Sequence, residues 1–150
     1  MTEVLFYDLK YQSLDCVLPN LLEKSISRGW NVVVQADHDE RVDWLNRLLW
    51  TYRDDSFLPH GSLKDGYASK QPIYLTSKYN ENPNNAKVRF IIEGAQLESY
   101  IGYERIVHLF DGHINESLEA ARASWKKATI ANCYVTYWQR TKTGKWERKA

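Results

Sequence analysis

The chain has 150 residues, 43% hydrophobic and 26% charged, with a formal net charge of +1. That length fits a single domain, residues 1–150, with a full core, and no run approaches the ~18 apolar residues needed to span a bilayer. The opening MTEVLFYDL has no basic segment ahead of an apolar stretch, so no secretory signal is expected.

Glu3 to Leu9 (EVLFYDL) reads as a first strand. Leu14, Val17, Leu18, Leu21 and Leu22 then repeat at helical spacing, and Arg28-Gly29 closes that helix with a last-turn cation and a C′ glycine. Asn31 to Ala36 is a β-branched run short enough for a buried strand. Asp37 or Asp39 can cap the next helix, whose apolar face is Val42, Leu45, Leu48, Leu49 and Tyr52. Ser56 to Gln71, with Pro59, Gly61 and Gly66, reads mostly as loop. Pro72 to Ser77 is a third strand, Tyr79 to Lys87 an Asn-rich loop, and Val88 to Ile92 a fourth strand. Gln96 to Tyr103 reads as a short helix or turn, and Ile106 to Phe110 as a fifth strand ended by Asp111-Gly112. Asn115 to about Ile130 is an alanine-rich helix. Tyr134 to Arg140 and Lys145 to Arg148 flank Thr143-Gly144 as a terminal hairpin. The pattern predicts a three-layer α/β fold with a mostly parallel or mixed sheet and a C-terminal hairpin.

Charge is distributed unevenly. From Arg122 onward the chain carries Arg122, Lys126, Lys127, Arg140, Lys142, Lys145, Arg148 and Lys149, with only Glu147 against them, so the part before Arg122 is net acidic. Trp125, Tyr134, Tyr137, Trp138 and Trp146 are interleaved with these cations. Cations with exposed rings suit an acidic, partly apolar peptide or single-stranded nucleic acid. The alternative is a solvated helix and hairpin. Cys16 and Cys133 form no CxxC pattern, which fits a reducing cytoplasm.

Catalytic signals are weak. No GxGxxG follows the first strand, where Asp8-Leu9-Lys10 stands instead. Gly61 to Ala68 has Walker-type glycine spacing, but Tyr67 replaces the lysine and Ala68 the Ser or Thr. Glu93 and Asp111 each precede a glycine and read as turn residues. His38 falls in an acidic helix start, and His108 and His113 do not share a helical face. No nucleophile–base set and no GxSxG can be assembled. No cofactor or metal site is expected.

Several segments in order carry a family likeness. VLFYDL is followed by a helix ending in RGW and by a valine strand. An acidic helix then ends in Leu48-Leu49-Trp50, ahead of Ser56-Phe57-Leu58-Pro59-His60. Ile106 to Asp111 and a helix with Glu116-Ser117-Leu118 and Ala121-Arg122-x-x-Trp125-Lys126 complete it. In these features the chain resembles the chi subunit family of bacterial DNA polymerase III holoenzyme. The resemblance implies a Rossmann-like α/β fold without catalysis, in a cytoplasmic accessory of the clamp loader.

It further implies two partners. The acidic C-terminal tail of single-stranded DNA-binding protein would be held by Arg122, Trp125 and Lys126, with Phe110 lining the pocket and Lys127 adding long-range attraction. The psi subunit, or an equivalent clamp-loader partner, would meet Trp50 and Phe57. DNA would be engaged only indirectly, and no membrane. The loop Tyr79 to Lys87 and the end from Tyr134 to Ala150 depart from the best-studied branch of that family. Two other readings stay open: direct binding of single-stranded nucleic acid, and a small enzyme using strand ends.

Overall fold

The computed structural model describes residues 2–51, 59–97 and 99–150. β1 (Glu3–Asp8) leads through α1 (Leu14–Ser27) to β2 (Val32–Gln35) and α2 (Asp39–Thr51). Four strands follow: β3 (His60–Ser62), β4 (Ile73–Thr76), β5 (Val88–Ile92) and β6 (Arg105–Phe110). α3 (Asn115–Ile130) then precedes β7 (Tyr134–Arg140) and β8 (Trp146–Arg148). These strands form one sheet in the order β3-β4-β2-β5-β6-β1-β7-β8. All neighbours run parallel except β7 and β8, which form the antiparallel C-terminal hairpin. Among the described residues no helix is long and apolar enough to cross a membrane.

The central strands are apolar on both sides because helices cover both faces. Leu5, Val32, Val34, Phe90 and Val107 point to the α1–α2 side, where Leu18, Leu22, Leu45 and Leu49 meet them. Val4, Phe6, Ile91, Ile106 and Phe110 point to the opposite side, against Ala121 and Ala128 of α3. The result is the three-layer, Rossmann-like α/β arrangement. Each fully buried Leu, Ile, Val or Phe contributes about 1.5–3 kcal/mol. α1 ends in a Schellman motif: Gly29 N–H donates to Ile26 O and Trp30 N–H to Ser25 O, with Gly29 at φ 78°.

The structure departs from the sequence expectations in two places. His60–Ser62, expected as loop, adds a short parallel edge strand to β4. Three residues holding a glycine carry no readable alternation. Neither Asp37 nor Asp39 caps α2; the His38 Nδ1 accepts the Arg41 N–H, while Asp39 accepts a bond from Ser77 Oγ. The Gln96 to Tyr103 stretch, read as a short helix or turn, takes the turn form at Ile101-Gly102 among its described residues.

The Asn-rich loop after β4 does the work of a missing helix. It closes over Val33, Tyr74 and Ala86. Asn84 Nδ2 donates to Val32 O (3.1 Å) and Gln71 O (2.8 Å), and Asn31 Nδ2 donates to Asn84 O. Beneath it lies Arg89, fully buried in β5. Its guanidinium donates to Gln35 Oε1, Glu81 O, Tyr103 OH and Lys78 O. A buried charge is tolerated when its donors are satisfied in this way.

His108, also buried, stacks on Phe6 with ring centroids 4.5 Å apart. Burial pushes its pKa from 6.5 down to about 3. Between those values the unfolded chain binds more protons than the folded one, so stability is lost as pH falls from about 6.5. Denaturant titrations at about pH 7 and about pH 5 should differ by about 2 kcal/mol through this group. His108→Phe should remove that part of the difference; an unchanged difference would show that His108 is not its source.

Candidate functional site

α3 buries the small residues Ala121, Ser124 and Ala128 against the sheet. Small residues on the inner face bring the helix close, and the same 3.6-residue period turns Arg122, Lys126 and Lys127 out to solvent. Trp125 falls at the boundary and is half-buried. Its ring lies 5.4 Å from Phe6 and 6.2 Å, edge-on, from Tyr137 of β7. Phe110 is only 2% exposed and sits 6.0 Å from Tyr137. It therefore forms the floor of this aromatic group, while Trp125 and Tyr137 form the part that solvent reaches.

Tyr137 is held by Asp8. The Tyr137 hydroxyl donates to Asp8 Oδ2 (3.1 Å), and Asp8 Oδ1 accepts the Gly112 N–H (2.9 Å) and the Lys10 N–H (3.2 Å). Burial first, and then the Asp8 charge, push the Tyr137 pKa up to about 12, with Arg122 pulling the other way. Tyr137 thus stays neutral, and Arg122 is close enough to act on it. Sequence reasoning missed both Asp8 and Tyr137 as site residues, because they are 129 positions apart. The available signal was an acid closing an apolar strand where a glycine loop would otherwise stand.

The α3 cations form no ion pair among the described residues. Among the described residues Arg122, Lys126 and Lys127 have no carboxylate within ion-pair distance, whereas Arg41 pairs with Glu93 and Lys64 with Asp43. Arg122 and Lys126 are one helical turn apart and flank Trp125. Chemically, this is a pair of cations beside a half-covered ring, suited to carboxylates followed by an apolar group.

Two other regions were singled out by sequence. The Gly61 loop spends its Ser62 N–H and Oγ on the Asp65 carboxylate (2.8 and 3.3 Å), so those two donors serve the chain's own anion. Beside it, a cavity of about 200 Å³ between α2 and β4 contains Asp39, Asp43 and Glu81. Each of these carboxylates is engaged, by Ser77, Lys64, and Tyr74 with Thr76. Glu93 and Asp111 both occupy turns, and the Asp111 side chain accepts the His113 N–H. Trp50, at the end of α2, is 59% exposed and edge-on to His60 at 5.1 Å. Phe57 and Tyr52 lie outside the described residues.

Residues 1–136 match the family model for DNA polymerase III chi subunit, HolC. The chain is also 34% identical over 90 residues to a "Probable DNA polymerase III subunit chi" from Rickettsia prowazekii (strain Madrid E). That alignment covers 60% of this chain and 54% of the relative, so the chain spans about half the length of the curated relative it matches. The chain belongs to the DNA polymerase III chi subunit family.

A Cβ added at Gly112 would overlap the Asp8 carboxylate. Gly112→Ala should therefore lower stability by about 2–3 kcal/mol. On an Asp8→Ala background the same change should cost less than about 1 kcal/mol. Denaturant titration of the four proteins reads this coupling, and strictly additive losses would show that the Asp8–Gly112 contact does not hold the turn.

Proposed function

Taking membership of the chi subunit family as the premise, we propose that the chain is a non-catalytic cytoplasmic accessory of the clamp-loader assembly. It binds the acidic C-terminal tail of single-stranded DNA-binding protein on α3 and links that protein to the replicase. The observation that carries this reading is the pair of exposed cations, Arg122 and Lys126, on either side of half-buried Trp125.

The tail's acidic stretch would pair with both cations, Arg122 able to grip a carboxylate bidentately. Its apolar last residue would lie against Trp125 and Tyr137, with Phe110 beneath. Lys127 adds attraction without a defined contact. Such a contact is small and ionic, so its affinity is micromolar and falls with salt.

Trp50 is proposed as the second surface, facing the psi subunit or an equivalent clamp-loader partner. It packs against His60 of β3, the outermost strand at one end of the sheet, while β7 and β8 lie at the other end. Two partners can therefore be held at once. Phe57, assigned to the same surface by the family resemblance, remains part of this proposal.

Fluorescence anisotropy of a labelled acidic peptide ending in Asp-Phe tests the α3 site. Arg122→Glu and Lys126→Glu should each weaken binding by about tenfold or more, and Trp50→Ala should leave it unchanged. A scrambled peptide of equal charge should bind less well. Full affinity in both charge-reversed variants would remove the assignment, and equal binding of the scrambled peptide would reduce the site to a nonspecific basic patch.

A further inference from the structure

The family match stops at residue 136, and most of the hairpin lies beyond it. Within the hairpin Trp138 is paired with Arg148 and Arg140 with Trp146. Directly opposed residues project to the same face, so two rings and two guanidiniums alternate there in a checkerboard. Tyr7 is in register with Trp138 and, like Trp146, packs on the α1–α2 core. This face is therefore the one turned away from α3. Tyr7 and Trp146 meet at 4.5 Å with their planes tilted by 35°, and the Arg140 guanidinium lies 4.8 Å from the Trp146 centroid.

One cavity flanks this checkerboard on the same face, and a second lies at the hairpin turn, lined by Arg140 from this face and by Glu147 and Lys149 from the opposite one. Between the hairpin and α1, about 190 Å³ is lined by Lys24, Arg28 and Arg105 together with Tyr7 and Trp146. Trp30 keeps two of these cations side by side, with Arg28 at 5.3 Å and Arg105 at 5.4 Å from its ring. At the hairpin turn, about 250 Å³ is lined by Lys10, Tyr11, Arg140, Lys142 and Lys149, with Glu147. Tyr11 is 52% exposed and has Lys142 at 5.8 Å. Arg140 borders one cavity and its partner Trp146 the other.

Positive charge here is largely uncompensated. Arg105 has Glu3 at 3.5 Å and Lys149 has Glu147 at 2.9 Å. Among the described residues Lys24, Arg28, Arg140 and Lys142 have no carboxylate partner. Gathering like charges in concave sites is unfavourable unless an anion occupies them.

We propose that this face and its two cavities bind single-stranded nucleic acid. Phosphates fill the Arg28–Arg105 cavity and the Arg140–Lys142 cavity, and bases lie against Trp138 and Tyr11. Cations at both ends with rings between them match a polymer that repeats a charge and a ring at every unit. An acidic peptide tail, with clustered carboxylates and one apolar end, suits the compact α3 site instead. A duplex keeps its bases stacked inside and cannot use the rings. The checkerboard and the Arg28–Arg105 cavity lie on the other side of the sheet from α3, and the proposal does not depend on the peptide-binding reading.

The test is anisotropy of a labelled oligothymidine of about 15 nucleotides with the full chain. Lys24→Glu with Lys142→Glu places one exposed reversal in each cavity and leaves the Tyr7–Trp146 pair intact. This double variant should weaken oligonucleotide binding about tenfold or more. It should also flatten the salt dependence by roughly 0.7 per lost phosphate contact. Its affinity for the acidic Asp-Phe peptide, which also reports correct folding, should not change. Arg122→Glu should leave oligonucleotide binding intact while weakening the peptide. Unchanged oligonucleotide affinity in the double variant, its loss in Arg122→Glu, or equal binding of a duplex would each overturn the proposal.

Discussion

One buried carboxylate, that of Asp8, joins the end of β1 to the turn that launches α3 and to the ring of Tyr137 on β7. These contacts cross from the second half of the chain back to the first strand. They fix where α3 begins and how β7 meets it, and so where Arg122 and Trp125 stand. A buried carboxylate holds such a position only when its lone pairs are filled, and here three donors fill them. A Cβ at position 112 would collide with this carboxylate, so glycine leaves the approach open.

The same device recurs in the Gly61 loop, where Asp65 takes the backbone N–H of Ser62. In doubly wound folds, N–H groups at strand ends and glycine turns serve phosphates. In this chain both places are occupied by its own carboxylates. The scaffold is kept while the chemistry shifts to side chains on helix and hairpin surfaces, as expected when function resides in sites rather than in folds.

Much of the scaffold was legible because strong periodicity needs no tertiary context. The two-sided apolar strands, the faces of α1 and α2, the glycine stop of α1 and the terminal hairpin all follow from local pattern. Arg122, Trp125 and Lys126 were legible too, since helical spacing alone fixes their relation. What stayed hidden depends on partners distant in sequence. Arg89 looks like an ordinary polar position within VRFII, yet it is buried by residues from three other segments. Lys24, Arg28 and Arg105 are brought together only by packing α1 over β6. The three-residue β3 exists because β4 offers it an edge, not because its own residues favour a strand.

The brevity of the two outer strands has a consequence for solubility. β3 and β8, the ends of the sheet, have three residues each, and β8 carries Glu147 and Arg148. Short, charged borders offer little template for a foreign strand. Without β8 the border would become the seven-residue β7, with Tyr134, Tyr137 and Trp138 along an unpaired backbone. The hairpin's return strand is thus a guard against self-association, which sets a limit on how far the chain can be trimmed before it becomes adhesive.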